Sequence, residues 1–367
     1  MKSRILLASR AAMAGLAVAA TTAIVSVAPA VSSAAMPANN PAISYEGRHA
    51  EEAGGAVRLG FPGVTAHLRV RAATLRMSAH ASSDDVFFDV SVDGAAPTVV
   101  RLRKGEGTYG LLQNPSVAEH TLEVTRRTES WMGTCEIRGF ELSGGELLPP
   151  PARPARKLMF IGDSVTSGEL TAYVPGSDPH EKINSNARVS YGMLLARKLG
   201  AQCHLVSYGG RGIIRDWQGI RDTRNAPQFY ELALPDGPAV RWDHSRYVPD
   251  AIGIQLGTND FNPGIPEQSE FVNAYVEFVR KIRRDAPGTF VFIMDSPIVN
   301  DEPGRGPRRT VLHFYLEQVV AQVGSPNVML APLPRYPGVP GNGHPTGAEH
   351  EAIAAELEPL FRRALGW

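Results

Sequence analysis

From about residue 42 to 147 the chain alternates apolar and polar positions with a period of two. "VTAHLRV" sets Val64, Ala66, Leu68 and Val70 against Thr65, His67 and Arg69, and "FFDVSV" repeats the pattern with Phe88, Val90 and Val92. Such a period puts one set of side chains on one face of a strand. Asp93-Gly94 then makes a hairpin turn into "TVVRL", and "TLEVTRRTE" and "CEIRGFEL" add further short strands. No segment here carries a 3.6-residue period. Short strands separated by turn signals predict a sandwich or jelly roll.

The proline-rich stretch "LLPPPARPARK", residues 147 to 157, marks a boundary, as an extended connector or a segment packed along a domain surface. Beyond it strands alternate with helices. "KLMFIG", "CHLVSY", "AIGIQLG", "TFVFIMD" and "NVMLAPL" read as strands. Tyr191, Leu194, Leu195 and Leu199 mark a helix ending at Gly200, and Val272, Tyr275, Val276, Val279 and Ile282 mark another that stops before Pro287. Two more helices are expected over about 307–323 and 346–364. This alternation predicts an α/β fold, a parallel sheet with helices on both faces.

The N-terminus reads differently. Lys2, Arg4 and Arg10 precede a weakly hydrophobic run from Ala11 to Val31, followed by small-residue patterns at Ala28-Pro29-Ala30 and Ser33-Ala34-Ala35. We read a secretory signal peptide, with an uncleaved anchor as the alternative. The expected division is 1–35 leader, 36–148 β-domain, 149–156 linker and 157–367 α/β domain. No later segment approaches ~20 continuous apolar residues, so no membrane association of the mature form is expected. Acidic and basic residues balance at 37 each, which gives no electrostatic footprint for nucleic acid. Two cysteines, Cys135 and Cys203, leave a disulfide or two separate buried thiols open, and no clustered Cys/His spacing suggests a metal.

Ligands in open parallel sheets bind beyond the carboxyl ends of the strands. That rule selects Ser164 after the first strand, Gly209, Gly210 and Gly212 after the second, Gly257 to Asp260 after the third, and His344 after the last. A serine hydroxyl needs a base to become a nucleophile, and His344 is the candidate. The oxyanion of an acyl-transfer intermediate needs fixed donors: the Ser164 N–H, a glycine N–H of the 209–212 loop and the Asn259 amide are the candidates. Asp163, beside the serine, is expected to order the loop or cap the following helix, and His350 to be structural.

The blocks "GDSVTSG", "GGRG", "GTND" and "GHPT" resemble those of the SGNH (GDSL-type) hydrolases. A β-sandwich ahead of them, "YGMLLARKLGAQCHLVSYGGRG", "LGTNDF" and "HPTGAEHEAIA" further resemble carbohydrate esterase family two, from about residue 42 onward. The resemblance implies an SGNH-hydrolase (flavodoxin-like) three-layer parallel sheet behind a jelly-roll domain, in secreted acetyl esterases that deacetylate xylan and related plant polysaccharides. It implies Ser164 as nucleophile, His344 as base, and Ser164, Gly210 and Asn259 as the oxyanion hole, with Gly212 the rival to Gly210. No metal or organic cofactor is implied.

One departure stands out. SGNH hydrolases usually carry an aspartate three residues before the histidine; here that position is Gly341, and "YPGVPGNGHP" contains no carboxylate. Three arrangements are open. A backbone carbonyl or the Asn342 side-chain oxygen holds the imidazole N–H, as in family members that work as a Ser–His dyad. A remote acid such as Asp295, or Asp301 or Glu302 beyond it, serves instead. Or the enzyme is crippled.

For substrate contacts the candidates are Trp217 and Asp216 past the glycine loop, Phe261 beside "GTND", and Trp242, each set against packing in the core or between domains. The expected partner is an acetylated polysaccharide or oligosaccharide. A lipid or general carboxylester hydrolase would need an apolar trench, for which "TSGELTAYVPGSD" and "IIRDWQ" are too polar. A non-catalytic carbohydrate-binding protein is disfavoured by Ser164, Asn259 and His344 occurring together, though Gly341 leaves it open.

Overall fold

The computed structural model describes residues 33–367. The expected leader, 1–35, lies almost wholly outside them. These described residues form one compact unit.

The first half is an antiparallel sheet of ten strands. Its frame is two long strands, Thr65–Ala81 and Gly105–Arg126, paired with each other. Their register shifts between Ala72 and Thr74 and again between Leu75 and Arg76. Shifts of this kind bend a strand and let a sheet fold over its own core. The period-two pattern decides what that core contains: Ala66, Leu68, Val70 and Ala72 are buried while Arg69 and Arg71 are exposed. Residues Ser33–Pro37 pair with Cys135–Ser143 as a further strand.

The second half holds a five-stranded parallel sheet in the order Ala201–Ser207, Arg156–Gly162, Ala251–Gln255, Phe290–Met294, Val328–Ala331. Alternation along Arg156–Gly162 feeds two cores. Leu158 and Phe160 join one with helices Tyr191–Leu199 and Gly347–Leu365. Met159 and Ile161 join the other with helices Gln268–Asp285 and Arg308–Val323. This second core runs on without a break into that of the β-domain.

The two halves are therefore welded, and polar contacts fix their register. Arg48 is fully buried, donates to the carbonyls of Tyr230 and Leu232, and lies over the rings of Tyr230 and Trp242. Trp242 accordingly packs between the halves. Arg127 pairs with Asp89 at 2.8 Å and donates to the carbonyls of Ile183 and Ser185, so the β-domain pins the long loop after the first parallel strand. The proline-rich connector is packed too: Arg153 bonds Glu46 at 2.7 Å, and Gln202 donates to the Pro154 carbonyl. Cys135 and Cys203 are free, buried thiols.

Candidate active site

The first parallel strand sits where the strand order reverses, with the second strand on one side and the third on the other. A crevice opens at the carboxyl end of such a switch point. Ser164 stands there, the first residue of a one-turn helix, Ser164–Ser167. Asp163 caps that helix, its carboxylate accepting from the Val165 N–H at 3.0 Å. Its burial pushes its pKa up to about 7 against that bond. Asp163 thus orders the loop, as its position beside the serine suggests.

His344 reaches the same point from the loop between the last strand and the last helix. Its Nε2 lies 2.7 Å from Ser164 Oγ. The other ring nitrogen, Nδ1, lies 2.5 Å from Asn342 Oδ1. An amide oxygen only accepts, so Nδ1 carries the hydrogen and Nε2 presents its lone pair to the serine. The loop is held by the helix it leads into. Thr346 and Glu349 form a reciprocal capping box, and Glu349 also accepts from the Gly338 N–H at 3.1 Å.

Asp295, the candidate for a remote acid, does not reach His344 and bonds elsewhere. Its two oxygens both lie 3.0 Å from His313 Nδ1 on the neighbouring helix, beside a cavity of about 600 Å³ that Asp301 and Arg309 also line. Asp301 is likewise engaged, accepting from the Thr310 hydroxyl at 2.6 Å. Of the three arrangements left open by the sequence, the geometry displays the Asn342 oxygen. A carboxylate does approach His344 from elsewhere: Glu169 Oε2 is 3.3 Å from Nε2, on the serine side of the ring. Sequence reasoning missed Glu169, although it closes the "GDSVTSGE" stretch, five residues past Ser164.

The donors gather around this pair. Among the described residues the backbone N–H groups of Ser164 and Gly210 donate to no protein acceptor. Gly210 has φ +78°, and a Cβ on it would stand 2.9 Å from Trp217 Cδ1, so backbone and indole approach only because no side chain intervenes. Asn259 begins from the end of the third strand. Its Nδ2 donates to the Arg211 carbonyl at 2.9 Å and lies 3.5 Å from Asp163 Oδ2, tying the glycine loop to the serine loop. Gly212 has a different place. It packs on Asp260, which accepts from the N–H groups of Ile213, Ile214 and Arg215.

Two expected substrate contacts are corrected. Phe261 is fully buried, packed edge-on against Phe271 at 5.4 Å and Tyr315 at 5.8 Å, because the short helix after the third strand turns it into the core. Asp216 is buried, and its carboxylate is spent on the N–H groups of Gln218 and Ile220 and on Arg211. Trp217 is 53% exposed beside Gly210. His350 is buried, with Nδ1 accepting from the Tyr191 N–H, and burial pushes its pKa down to about 3. His180 is exposed on the long loop.

Among the described residues one group has metal-ligand spacing, Glu231, His244 and Asp285. The ammonium of Lys281 already sits 2.8 Å from Glu231 and 2.9 Å from Asp285, so a cation of the chain's own neutralises it. What remains at the switch point is a hydroxyl bonded to an oriented imidazole beside unspent N–H donors, an arrangement suited to acyl transfer.

Comparison with known proteins places the chain in a family. Residues 45–151 match the model of the carbohydrate esterase 2 N-terminal domain, and residues 160–358 that of the GDSL-like lipase/acylhydrolase family. An acetylxylan esterase/glucomannan deacetylase of Cellvibrio japonicus is 37% identical over 331 residues, covering 90% of this chain and 91% of the relative. A family two carbohydrate esterase structure from Cellvibrio japonicus superimposes with a TM-score of 0.87 at 36% identity, over 92% of this chain and 99% of that one. Another, from Clostridium thermocellum in complex with cellohexaose, gives 0.82 at 26% identity, over 89% and 99%. The chain belongs to carbohydrate esterase family two.

Proposed function

We propose that this chain is a secreted serine esterase that removes O-acetyl groups from plant cell-wall polysaccharide, xylan and glucomannan among them. The observation that carries the reading is the 2.7 Å contact between Ser164 Oγ and His344 Nε2 at the switch point. The activity named for the Cellvibrio japonicus relative gives the substrate class, and the charged, then apolar N-terminal run supports secretion.

The reaction proceeds in two halves. Ser164 Oγ attacks the acetyl carbonyl carbon while its proton passes to His344 Nε2. The carbonyl oxygen becomes an oxyanion, met by the N–H groups of Ser164 and Gly210 and by the Asn259 amide hydrogen that the Arg211 carbonyl does not hold. As the intermediate collapses, the bond to the sugar oxygen breaks and that oxygen takes the proton from Nε2. Acetyl-Ser164 is left. Water then repeats the sequence, giving its proton to Nε2, and acetate departs with the Ser164 hydroxyl restored. Asn342 holds the Nδ1 hydrogen throughout, so serine and histidine act as a dyad oriented by an amide. Trp217 offers its exposed face to the sugar ring that carries the acetyl group.

Acetate release from acetylated xylan, acetylated glucomannan and a short-chain aryl acetate tests this. Ser164→Ala and His344→Ala are expected to lower kcat by at least about a thousandfold. Asn259→Ala is expected to lower it about 100- to 1000-fold, as loss of one oxyanion donor does. Asp295→Ala is expected to leave the rate within about twofold, since its partner is His313. A wild-type protein that releases acetate from none of the three would overturn the reading.

A further inference from the structure

The turn after the Gly105–Arg126 strand of the β-domain carries a carboxyl group into the wall of the active site. Glu129 is completely buried, and neither of its carboxylate oxygens makes a hydrogen bond of ordinary geometry. It is pressed against the glycine loop: a Cβ on Gly209 would stand 2.1 Å from Glu129 Oε2. Its backbone is fixed from both sides. The Arg126 guanidinium donates to the Glu129 carbonyl at 3.0 Å, and the next residue, Ser130, donates to the Ser207 carbonyl at 2.8 Å.

The groups that face this carboxyl are few. Glu169, two residues past the serine helix, and the indole N–H of Trp131 approach it, and Asp163 adds a further carboxyl group. Lys182, on the long loop, places its ammonium 4.6 Å from the Trp131 ring centroid. Burial, followed by the neighbouring Glu169, pushes Glu129 well above the carboxylate range. Two neighbouring carboxyl groups, one of them fully buried, resist ionising together, so the pair retains one proton. The buried member keeps it. Glu169, part exposed, is the member that faces His344.

We propose that Glu129 is a positioning residue: its carboxyl group donates a hydrogen bond to Glu169 and so holds the Glu169 carboxylate against the Nε2 side of His344. This deepens the esterase reading and rests on it. When Nε2 takes the proton of Ser164, the new imidazolium faces a carboxylate 3.3 Å away. The charge that a loop aspartate would stabilise from the Nδ1 side is met from the opposite side. Glu129 keeps its own proton through the cycle, and only serine, histidine, the sugar oxygen and water exchange one. The β-domain becomes part of the acid–base machinery.

The test is the pH dependence of kcat/KM on a short-chain aryl acetate, for wild type, Glu129→Ala, Glu129→Gln and Glu169→Gln, with thermal melts to report folding. Glu129→Ala is expected to lower kcat about tenfold, the worth of a hydrogen bond to a charged group. Glu129→Gln supplies the donor again and is expected to restore most of that loss. It also cannot shed a proton, so the alkaline decline of the wild type is expected to disappear. Glu169→Gln is expected to lower kcat about tenfold with KM nearly unchanged, because the imidazolium that forms as the serine is deprotonated loses its neighbouring charge. This last variant leaves the buried position untouched and reads out even where a Glu129 variant folds poorly. A wild-type kcat in Glu169→Gln would overturn the proposal, as would equal losses in both Glu129 variants with the alkaline decline unmoved. An inactive wild type would instead sink the esterase reading beneath it.

Discussion

Gly341 stands where an SGNH histidine loop usually carries its acid, and its φ of +77° lies in the left-handed region. An aspartate introduced there meets a backbone that L-residues avoid, at a cost of about 1 kcal/mol. The Nδ1 hydrogen is meanwhile already taken by Asn342. Gly341→Asp is therefore expected to lower the melting temperature without raising kcat. Asn342→Ala removes the one acceptor on Nδ1 and frees the ring to adopt the wrong tautomer. Its kcat is expected to fall on the order of tenfold with KM nearly unchanged, since the loss is in orientation and not in binding. Steady-state kinetics on the aryl acetate distinguish the two variants.

At the scale of elements, the site depends on how a helix holds the loop before it. Glu349 lies in the first turn of the Gly347–Leu365 helix and accepts from the N–H groups of Thr346 at 2.7 Å and Gly338 at 3.1 Å. It clamps the His344 loop at both ends. Glu349→Ala breaks the capping box and leaves two donors without partners, and is expected to cost about 1 to 2 kcal/mol. Because the same bonds set the position of His344, kcat is expected to fall severalfold in step with the melting temperature. Full activity in a destabilised Glu349→Ala protein would show that the loop keeps its shape without the clamp. The short helix after the third strand shows the converse. Its single turn places Asn259 toward the serine and Phe261 into the core.

For the molecule as a whole, the buried carboxyls of the site set a pH dependence of stability. Burial pushes Asp163 up to about 7 and Asp260 up to about 6. Both folded values lie above the unfolded value of about 4, so the folded state binds more protons between these limits. Their contribution is present in full below about pH 4 and is lost as pH rises through 6 to 7. Urea unfolding across this range is expected to give a smaller decline in stability for Asp163→Asn than for wild type. An unchanged decline would place the ionisation elsewhere. The architecture itself was legible in two hydrophobic periods. Period two in "VTAHLRV" marks a β-domain, and "KLMFIG" with the helices after it marks a parallel sheet whose strand ends gather Ser164, Gly210, Asn259 and His344. What stayed hidden depends on contacts between distant segments. Asp295 sits at the correct edge yet belongs to His313. Asp216 is consumed by its own turn. Glu129 of the β-domain is pressed against Gly209 across the domain boundary, where no local period reports it.

The most direct test of the central claim is to mix the protein with an acetylated substrate, quench in acid within a turnover, and map the peptides by mass spectrometry. The expected result is an acetyl group on the peptide containing Ser164, absent from Ser164→Ala, and accumulating at a rate that accounts for acetate release. Acetate released at the wild-type rate by Ser164→Ala, with no acetylated peptide, would contradict the account.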